Sequence, residues 1–126
     1  TLHTIDAVQT IDRIIDVFPP AQQQQIRLQL STTLQAVITE TLVRRKDGAG
    51  RAAAFEIMVC TPAIRSAIRE GKTPQIYSAI QTGSRLGMIQ MDQYLRNLLN
   101  QGIIDYEEAL AHCTNPDEFE RRVSVC

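Results

Sequence analysis

The 126-residue sequence lacks several features that mark common classes of protein. It has no tryptophan and only 5% aromatic residues, so we expect a mainly aliphatic core. Its formal net charge of −1 argues against nucleic-acid binding, because nucleic-acid-binding domains normally present a clearly basic surface. It contains no run of 18 or more apolar residues, and we therefore expect no membrane insertion.

The sequence also lacks the motifs of the commonest cofactor and metal sites. It contains no G-x-x-x-x-G-K-[ST] phosphate-binding loop, no G-x-G-x-x-G turn and no H-E-x-x-H zinc motif. His3 and His112 are far apart, with no other ligand at metal-binding spacing, so we expect no metal site. Cys60, Cys113 and Cys126 form no C-x-x-C pair, which is typical of reduced thiols in a cytosolic protein.

Apolar residues recur at helical spacing along most of the chain. They predict a helix near 7–17, a longer second helix whose apolar stripe runs from Ile26 to Leu42, and later helices near 90–101, after Asp105 and over 116–123. The spacing predicts a helix-rich fold, with no alternation of strands and helices.

The apolar period changes around the segment RRKDGAGR (44–51). Asp47-Gly48 and Gly50 are turn residues, which tolerate positive φ. Residues 52–59 then alternate with period two, which predicts a strand, and residues 42–46 could form the other arm of a hairpin. We therefore predict a mostly α fold with one β-hairpin.

Two similar segments follow, TPAIRSAIREG (61–71) and TPQIYSAIQTG (73–83), which agree at seven of eleven positions. We predict two short helices, each with a capping threonine, a first-turn proline and a left-handed C-terminal glycine. Only the first has Arg65 and Arg69, and like charges four residues apart destabilise a helix by about 0.2–0.5 kcal/mol. We infer that both arginines are surplus to folding and contact an acidic partner; the alternative is that both stay solvated.

The chain also resembles a known family. The segments TLHT (1–4) and AVQTIDRIIDVFP (7–19) resemble the histidine box and following helix of the secretion-type hexameric ATPases, the P-loop motors of type IV pili and type II secretion. Segment 54–88 is similar to one branch, the twitching-motility retraction ATPases (PilT-type). Their diagnostic stretch reads AIRNLIRE where this chain has AIRSAIRE (63–70), and segment 91–110 also follows the family.

This resemblance implies an architecture and cofactors. The chain is expected to be the C-terminal helical part of a RecA-like P-loop ATPase domain, truncated before the nucleotide-binding core. Residues 1–60 would be the end of that core, with the histidine box, two helices and the hairpin, and residues 61–126 the C-terminal helical region. ATP and Mg²⁺ would serve the full-length parent, and we expect neither to be bound by this chain alone.

The resemblance also implies roles for single residues. His3 matches a histidine that lies near the terminal phosphate of the nucleotide in the family. Arg13 falls in a segment near the nucleotide or the subunit interface, although it could equally be a surface arginine paired with a nearby aspartate. Arg51 belongs to a basic hairpin, which could reach a neighbouring subunit's nucleotide or form a solvated loop.

The last implication concerns pilus retraction. The helix required for retraction in the family is matched here by Ala63, Ile64, Arg65, Ser66, Ala67, Ile68, Arg69 and Glu70. The parent would be a homohexamer that works with the pilus machinery, in the cytoplasm and peripheral to the inner membrane. Two alternatives stay open: a segment of a pilus-extension or type II secretion ATPase, and a non-enzymatic helical adaptor derived from such a motor.

Overall fold

A computed structural model of the chain describes residues 2–125. In this range seven α-helices accompany a two-stranded sheet, which confirms the predicted fold class of helices with one hairpin. In chain order the elements are α1 (Ala7–Asp16), α2 (Pro20–Thr33), β1 (Ala36–Arg44), β2 (Arg51–Val59), α3 (Pro62–Arg69), α4 (Gln75–Thr82), α5 (Met91–Asn100), α6 (Tyr106–His112) and α7 (Pro116–Val125). Within these bounds, no helix combines the length and the apolar character needed to cross a bilayer.

The predicted second helix is wrong beyond Thr33, because the chain turns there into the first strand. β1 pairs with β2 in antiparallel register, from Ala36 opposite Val59 to Arg44 opposite Arg51. Five of the nine residues of β1, AVITETLVR, are β-branched and favour a strand over a helix. The predicted hairpin arm at 42–46 is therefore only the end of a strand that already begins at residue 36.

Among the residues that the structure describes, the interior consists of two apolar clusters, one on each side of the middle of β2. The first joins the hairpin to α1, α3 and α4 through Ala7, Val8, Ile11, Ile15, Val37, Met58, Ile64, Ala67, Ile68, Ile76, Ile80 and Met88. The second joins the hairpin to α5, α6 and α7 through Val43, Ala54, Met91, Leu95, Leu98, Ile104, Ala109 and Phe119. Because side chains alternate along a strand, Ala54, Glu56 and Met58 share one face of β2, with Glu56 between the clusters.

Helices α2 and α3 pack side by side in opposite directions. Arg65, in the first half of α3, contacts the C-terminal end of α2. Gly71, just after α3, lies next to the Arg27 side chain in the middle of α2. This packing places α3 against both α2 and the first apolar cluster, and so fixes which of its faces is exposed.

Candidate functional site

The motif AIRSAIRE (63–70) forms helix α3, and its predicted ends are confirmed. Thr61 Oγ1 accepts a hydrogen bond from the Ile64 N–H (3.3 Å), and Pro62 occupies the first helical position. Gly71 follows the helix with φ +72°, a left-handed conformation that glycine adopts without steric cost. Local sequence signals therefore define this helix at both ends.

Helix α3 has a buried face and an exposed face. Ile64 and Ile68 are fully buried, and Ala67 is also buried in the first apolar cluster. The exposed face carries Ala63, Arg69 and Glu70. Position 67, where the family has leucine, therefore belongs to the core of this chain, so its change to alanine affects packing rather than an exposed contact surface. Ser66, the other departure from the family, is half-buried.

Arg65 is not surplus to folding, contrary to the sequence-based inference. Its Nη1 donates to the carbonyl oxygens of Ser31 (2.8 Å) and Leu34 (2.9 Å), at the end of α2. The last carbonyl groups of a helix have no partner within the helix, and a cation near them also interacts favourably with the helix dipole. The sequence could not reveal this contact, because it joins residues 31 and 34 positions apart in the chain.

Arg69 and Glu70, at the other end of the motif, are both exposed. Arg69 has no hydrogen bond or ion pair with the part of the chain that the structure describes. Glu70 lies 3.6 Å from the Lys72 ammonium group, in an ion pair whose two side chains are more than half exposed. The motif thus contributes one arginine to internal contacts and one to the surface.

The second of the two similar segments, helix α4, differs from its prediction at both ends. α4 begins at Gln75, after Pro74, and has no side-chain N-cap. Thr73 instead donates from its hydroxyl to Asp12 Oδ1 of α1 (3.1 Å). Gly83 has φ −94° rather than a left-handed conformation; an added Cβ would displace the end of the Met88 side chain and lie 3.0 Å from the Ala79 carbonyl oxygen.

Tyr77 gives α4 a second link to the start of α1. Its hydroxyl donates to Asp6 Oδ2 (3.1 Å), while Asp6 Oδ1 accepts from the Gln9 N–H and caps α1. Burial and the neighbouring Asp6 raise the pKa of Tyr77, so the phenol stays protonated and remains a donor at neutral pH. Two side-chain hydrogen bonds thereby join α1 and its N-cap to α4 and to Thr73, just before α4.

His3 lies apart from the motif, in a cleft of about 550 Å³ between the N-terminal segment, α1 and β1. Its side chain is exposed. The cleft is also lined by Leu2, Ile38 and Leu42, three apolar side chains that are 44%, 66% and 49% exposed. An exposed imidazole in such a cleft can donate to an incoming acceptor group, including a phosphate oxygen.

Arg13 and Arg51, the other predicted interface residues, do not line the His3 cleft. Both side chains are exposed. Arg13 forms no ion pair with any residue in the range 2–125, and the nearby aspartates Asp6 and Asp12 instead accept hydrogen bonds from Tyr77 and Thr73. The structure therefore does not bring the three predicted nucleotide-related residues together within this chain.

Glu56 is a structurally central residue that our reading of the sequence missed. It is 2% exposed; Oε1 accepts from the Ala7 N–H (2.8 Å) and Oε2 from the Met91 N–H (3.1 Å). These are the first residues of α1 and α5, so one carboxylate stabilises two helix N-termini. Burial raises its pKa, and the two backbone hydrogen bonds oppose that rise. The sequence signal for this role was a single carboxylate between Ala54 and Met58 on the same face of a strand.

Glu56 also borders a polar cleft of about 450 Å³, lined by residues of α1, α4, α5 and α7. Of its acidic groups, Glu118 pairs with Arg122, whereas Asp6, Glu56 and Asp92 accept backbone hydrogen bonds. Asp92 accepts from the Thr114 N–H (2.7 Å), the Thr114 hydroxyl (3.1 Å) and the Asn115 N–H (3.1 Å). Among residues 2–125, no group of three or more His, Cys, Asp or Glu side chains is arranged to hold a metal ion. Cys60 and Cys113 are free thiols, whereas Cys126 lies outside the described residues.

Comparison with known proteins links the chain to the pilus ATPases. No protein-family model matches it. The chain is 50% identical over 119 residues to the type IV pilus retraction ATPase PilT of Pseudomonas aeruginosa, covering 94% of the chain and 34% of that protein. It is 46% identical over 119 residues to a twitching motility protein of Neisseria gonorrhoeae, covering 94% of the chain and 32% of that protein.

A solved structure shows the same relationship in three dimensions. The pilus retraction motor PilT with bound ADP superposes with a TM-score of 0.85 at 42% identity, covering 96% of this chain and 33% of that one. The chain therefore spans about a third of the length of the relatives that it matches, in their C-terminal part. Over that extent, the chain matches the C-terminal part of the PilT-type retraction ATPases of type IV pili.

Proposed function

We propose that this chain acts as the C-terminal segment of a hexameric ATPase motor that retracts type IV pili. The observation that carries the proposal is the 50% identity to the Pseudomonas aeruginosa retraction ATPase over 94% of the chain. Helix α3 supports it, since it carries the AIRSAIRE motif with an exposed arginine and no direct contact with the His3 cleft.

Nucleotide chemistry in this proposal belongs to the assembled parent. ATP is the expected substrate, since the related motor structure contains ADP. Mg²⁺ would bind together with the ATP. The chain itself contains no phosphate-binding loop motif. Purified alone, it should therefore show no saturable ATP hydrolysis above a blank.

Within the parent, His3 would contact the terminal phosphate of the nucleotide, and Arg13 and Arg51 would face the nucleotide or a neighbouring subunit. All three side chains are exposed and accessible to such partners. Arginine suits the subunit interface because it is always charged and grips phosphate or carboxylate with two donors. The motor would work in the cytoplasm, at the inner-membrane pilus machinery.

The contacts of α1 suggest how a nucleotide signal could reach the motif region. α1 begins four residues after His3. Its N-cap Asp6 binds Tyr77 of α4, and its Asp12 binds Thr73, just before α4. α4 in turn packs on α3 within the first apolar cluster. Residues 1–60 would then act as the end of the ATPase core and residues 61–126 as the region that delivers movement.

A chimera tests this proposal. This chain replaces the matching third of the Pseudomonas aeruginosa retraction ATPase, in a strain that lacks the native protein. We expect restored twitching, and ATP hydrolysis by the purified chimera within a few-fold of the native enzyme. A chimera that hydrolyses ATP normally but restores no twitching would contradict a retraction role and favour the extension or secretion branch.

A further inference from the structure

Glu56 is a buried carboxylate that forms no ion pair with any residue in the described part of the chain. It lies in the middle of β2, on the face that also carries Ala54 and Met58, and is 2% exposed. Its two hydrogen bonds come from the Ala7 N–H (2.8 Å) and the Met91 N–H (3.1 Å). A buried ionised carboxylate depends on such donors, because its removal from water is otherwise very unfavourable.

The two hydrogen bonds of Glu56 connect two parts of the molecule at one point. Ala7 begins α1, which belongs to the first apolar cluster, and Met91 begins α5, which belongs to the second. The positive ends of both helix dipoles therefore face the same carboxylate, which favours its ionised form. Glu56 thus links the helix that follows His3 to the group of helices α5, α6 and α7.

The two helices depend on Glu56 to different degrees. α1 has a side-chain cap of its own, since Asp6 Oδ1 accepts from the Gln9 N–H (2.8 Å). The N-cap residue of α5 is Gln90, whose side chain makes no capping hydrogen bond and instead donates to the Tyr77 carbonyl oxygen (2.9 Å). The hydrogen bond from Met91 is also the longer of the two. α5 is therefore the helix that loses more when Glu56 loses an acceptor.

The groups around Glu56 favour uptake of a proton. The polar cleft beside it is lined by the titratable or charged side chains Asp6, Tyr77, Asp92, Arg96 and Glu118. Thr39, the residue opposite Glu56 on β1, cannot ionise in this range. Burial, together with the negative charges of Asp6 and Asp92, raises the pKa of Glu56, and the two backbone hydrogen bonds oppose that rise. Glu56 therefore takes up a proton at a higher pH than an exposed glutamate does.

We propose that Glu56 is a charge-dependent link: the carboxylate holds the first residues of α1 and α5 on β2, and its neutral form keeps α1 and releases the first turn of α5. A carboxylate accepts at both oxygens, whereas a carboxamide nitrogen only donates and a protonated carboxyl loses acceptor capacity at one oxygen. One backbone N–H then loses its partner, and the shorter bond and separate cap of α1 favour the loss at Met91. The release is local, because two backbone hydrogen bonds between Ile57 and Ile89 hold the chain just before α5.

Glu56→Gln tests the link in the purified 126-residue chain, because it keeps the size of the side chain and removes one acceptor. Amide hydrogen exchange at Met91 should become about 10- to 100-fold faster, with little change at Ala7 and Ile89. Glu40→Gln, at an exposed glutamate on β1, is the matched control and should change none of the three. An equal or larger acceleration at Ala7 or Ile89, or no acceleration at Met91, would overturn the proposal.

A pH titration of the unsubstituted chain, followed by ¹³C and ¹⁵N NMR, tests the role of the charge without any substitution. The Met91 amide should shift with the same midpoint as the Glu56 carboxyl carbon, and this midpoint should lie above that of the exposed Glu40 carboxyl. The Ala7 amide should shift less. In Glu56→Gln the Met91 transition should disappear, which separates Glu56 from the neighbouring Asp92. No transition at Met91, or one that persists in the variant, would overturn the charge dependence. The proposal goes beyond the proposed function, and both tests need neither ATP nor pili.

Discussion

Helices α3 and α4 arise from segments that agree at seven of eleven positions, yet the structure uses the shared residues differently. Thr61 caps α3, whereas the matching Thr73 leaves its own helix uncapped and binds Asp12. Gly71 is left-handed, whereas Gly83 is not and lies close to the Met88 side chain and the Ala79 carbonyl. The isoleucine pairs have the same role in both, as buried core residues.

Two pairs of matching positions that differ in sequence have similar surroundings in the two helices. Arg65 of α3 and Tyr77 of α4 occupy matching positions, and both hydrogen-bond to a neighbouring helix or its cap. Arg69 and Gln81, the next matching pair, are both exposed. The absence of an arginine from α4 is therefore poor evidence that the matching arginine of α3 is surplus to folding, because the two helices pack against different neighbours.

The largest expected effect tests what the two helices share. Ile68→Ala and Ile80→Ala each remove a buried side chain that is at most 1% exposed, and each should lower the free energy of unfolding by about 2–5 kcal/mol. Urea denaturation of the two variants measures this. A loss below about 1 kcal/mol in only one of them would show that the two isoleucines are not equivalent core residues.

The two glycines should differ in the kind of substitution that they tolerate. Gly71→Ala should lower the free energy of unfolding by about 1 kcal/mol, and Gly71→Asn by less, because asparagine tolerates the left-handed conformation better. Space is not limiting at this site, since an added Cβ meets no closer atom than Arg27 Cζ at 3.6 Å. At Gly83, Ala should cost about 1–3 kcal/mol and Asn more, because crowding against Met88 and the Ala79 carbonyl grows with size.

The order of the two substitutions at each site, measured by urea denaturation, decides this prediction. Met88→Ala supplies the control, since it should reduce the cost of Gly83→Ala and leave that of Gly71→Ala unchanged. The same Ala–Asn order at both sites would mean that the two glycines have one shared role after all.

The two threonines give the smallest expected difference. Thr61→Ala should cost about 1 kcal/mol through loss of the N-cap and should speed hydrogen exchange of the Ile64 amide, with recovery by Thr61→Ser. Thr73→Ala should cost a similar amount through loss of its bond to Asp12. In an Asp12→Ala background the Thr73 effect should vanish and the Thr61 effect should remain; persistence of the Thr73 effect would contradict the assigned hydrogen bond.

The sequence predicted what depends on nearby residues. The caps of α3 and α6, the hairpin turn and the strand at 52–59 all follow from local turn chemistry and local periodicity. The boundary between α2 and β1 was missed because Leu34, Val37, Ile38 and Leu42 fit a helical stripe as well as a strand, and pairing with β2 decides between the two. Glu56 and Arg65 were missed because their partners are distant in sequence.

The same distinction between local and long-range determinants applies to the candidate site. The outline of the motif helix could be predicted from Thr61, Pro62 and Gly71, but the roles of its arginines depend on the antiparallel packing of α2 and α3. Likewise, the exposure of His3 and its separation from the motif are tertiary facts that no pattern in the sequence contains.

The central claim is that the exposed face of α3 serves retraction and is not part of the nucleotide pocket. The most direct test compares twitching and ATP hydrolysis in the chimera with and without Arg69→Ala. We predict that twitching is lost while hydrolysis by the purified protein stays within about 2-fold, because an exposed arginine outside the His3 cleft is not needed for the chemical step. A parallel collapse of hydrolysis would contradict the account and place Arg69 at the catalytic interface.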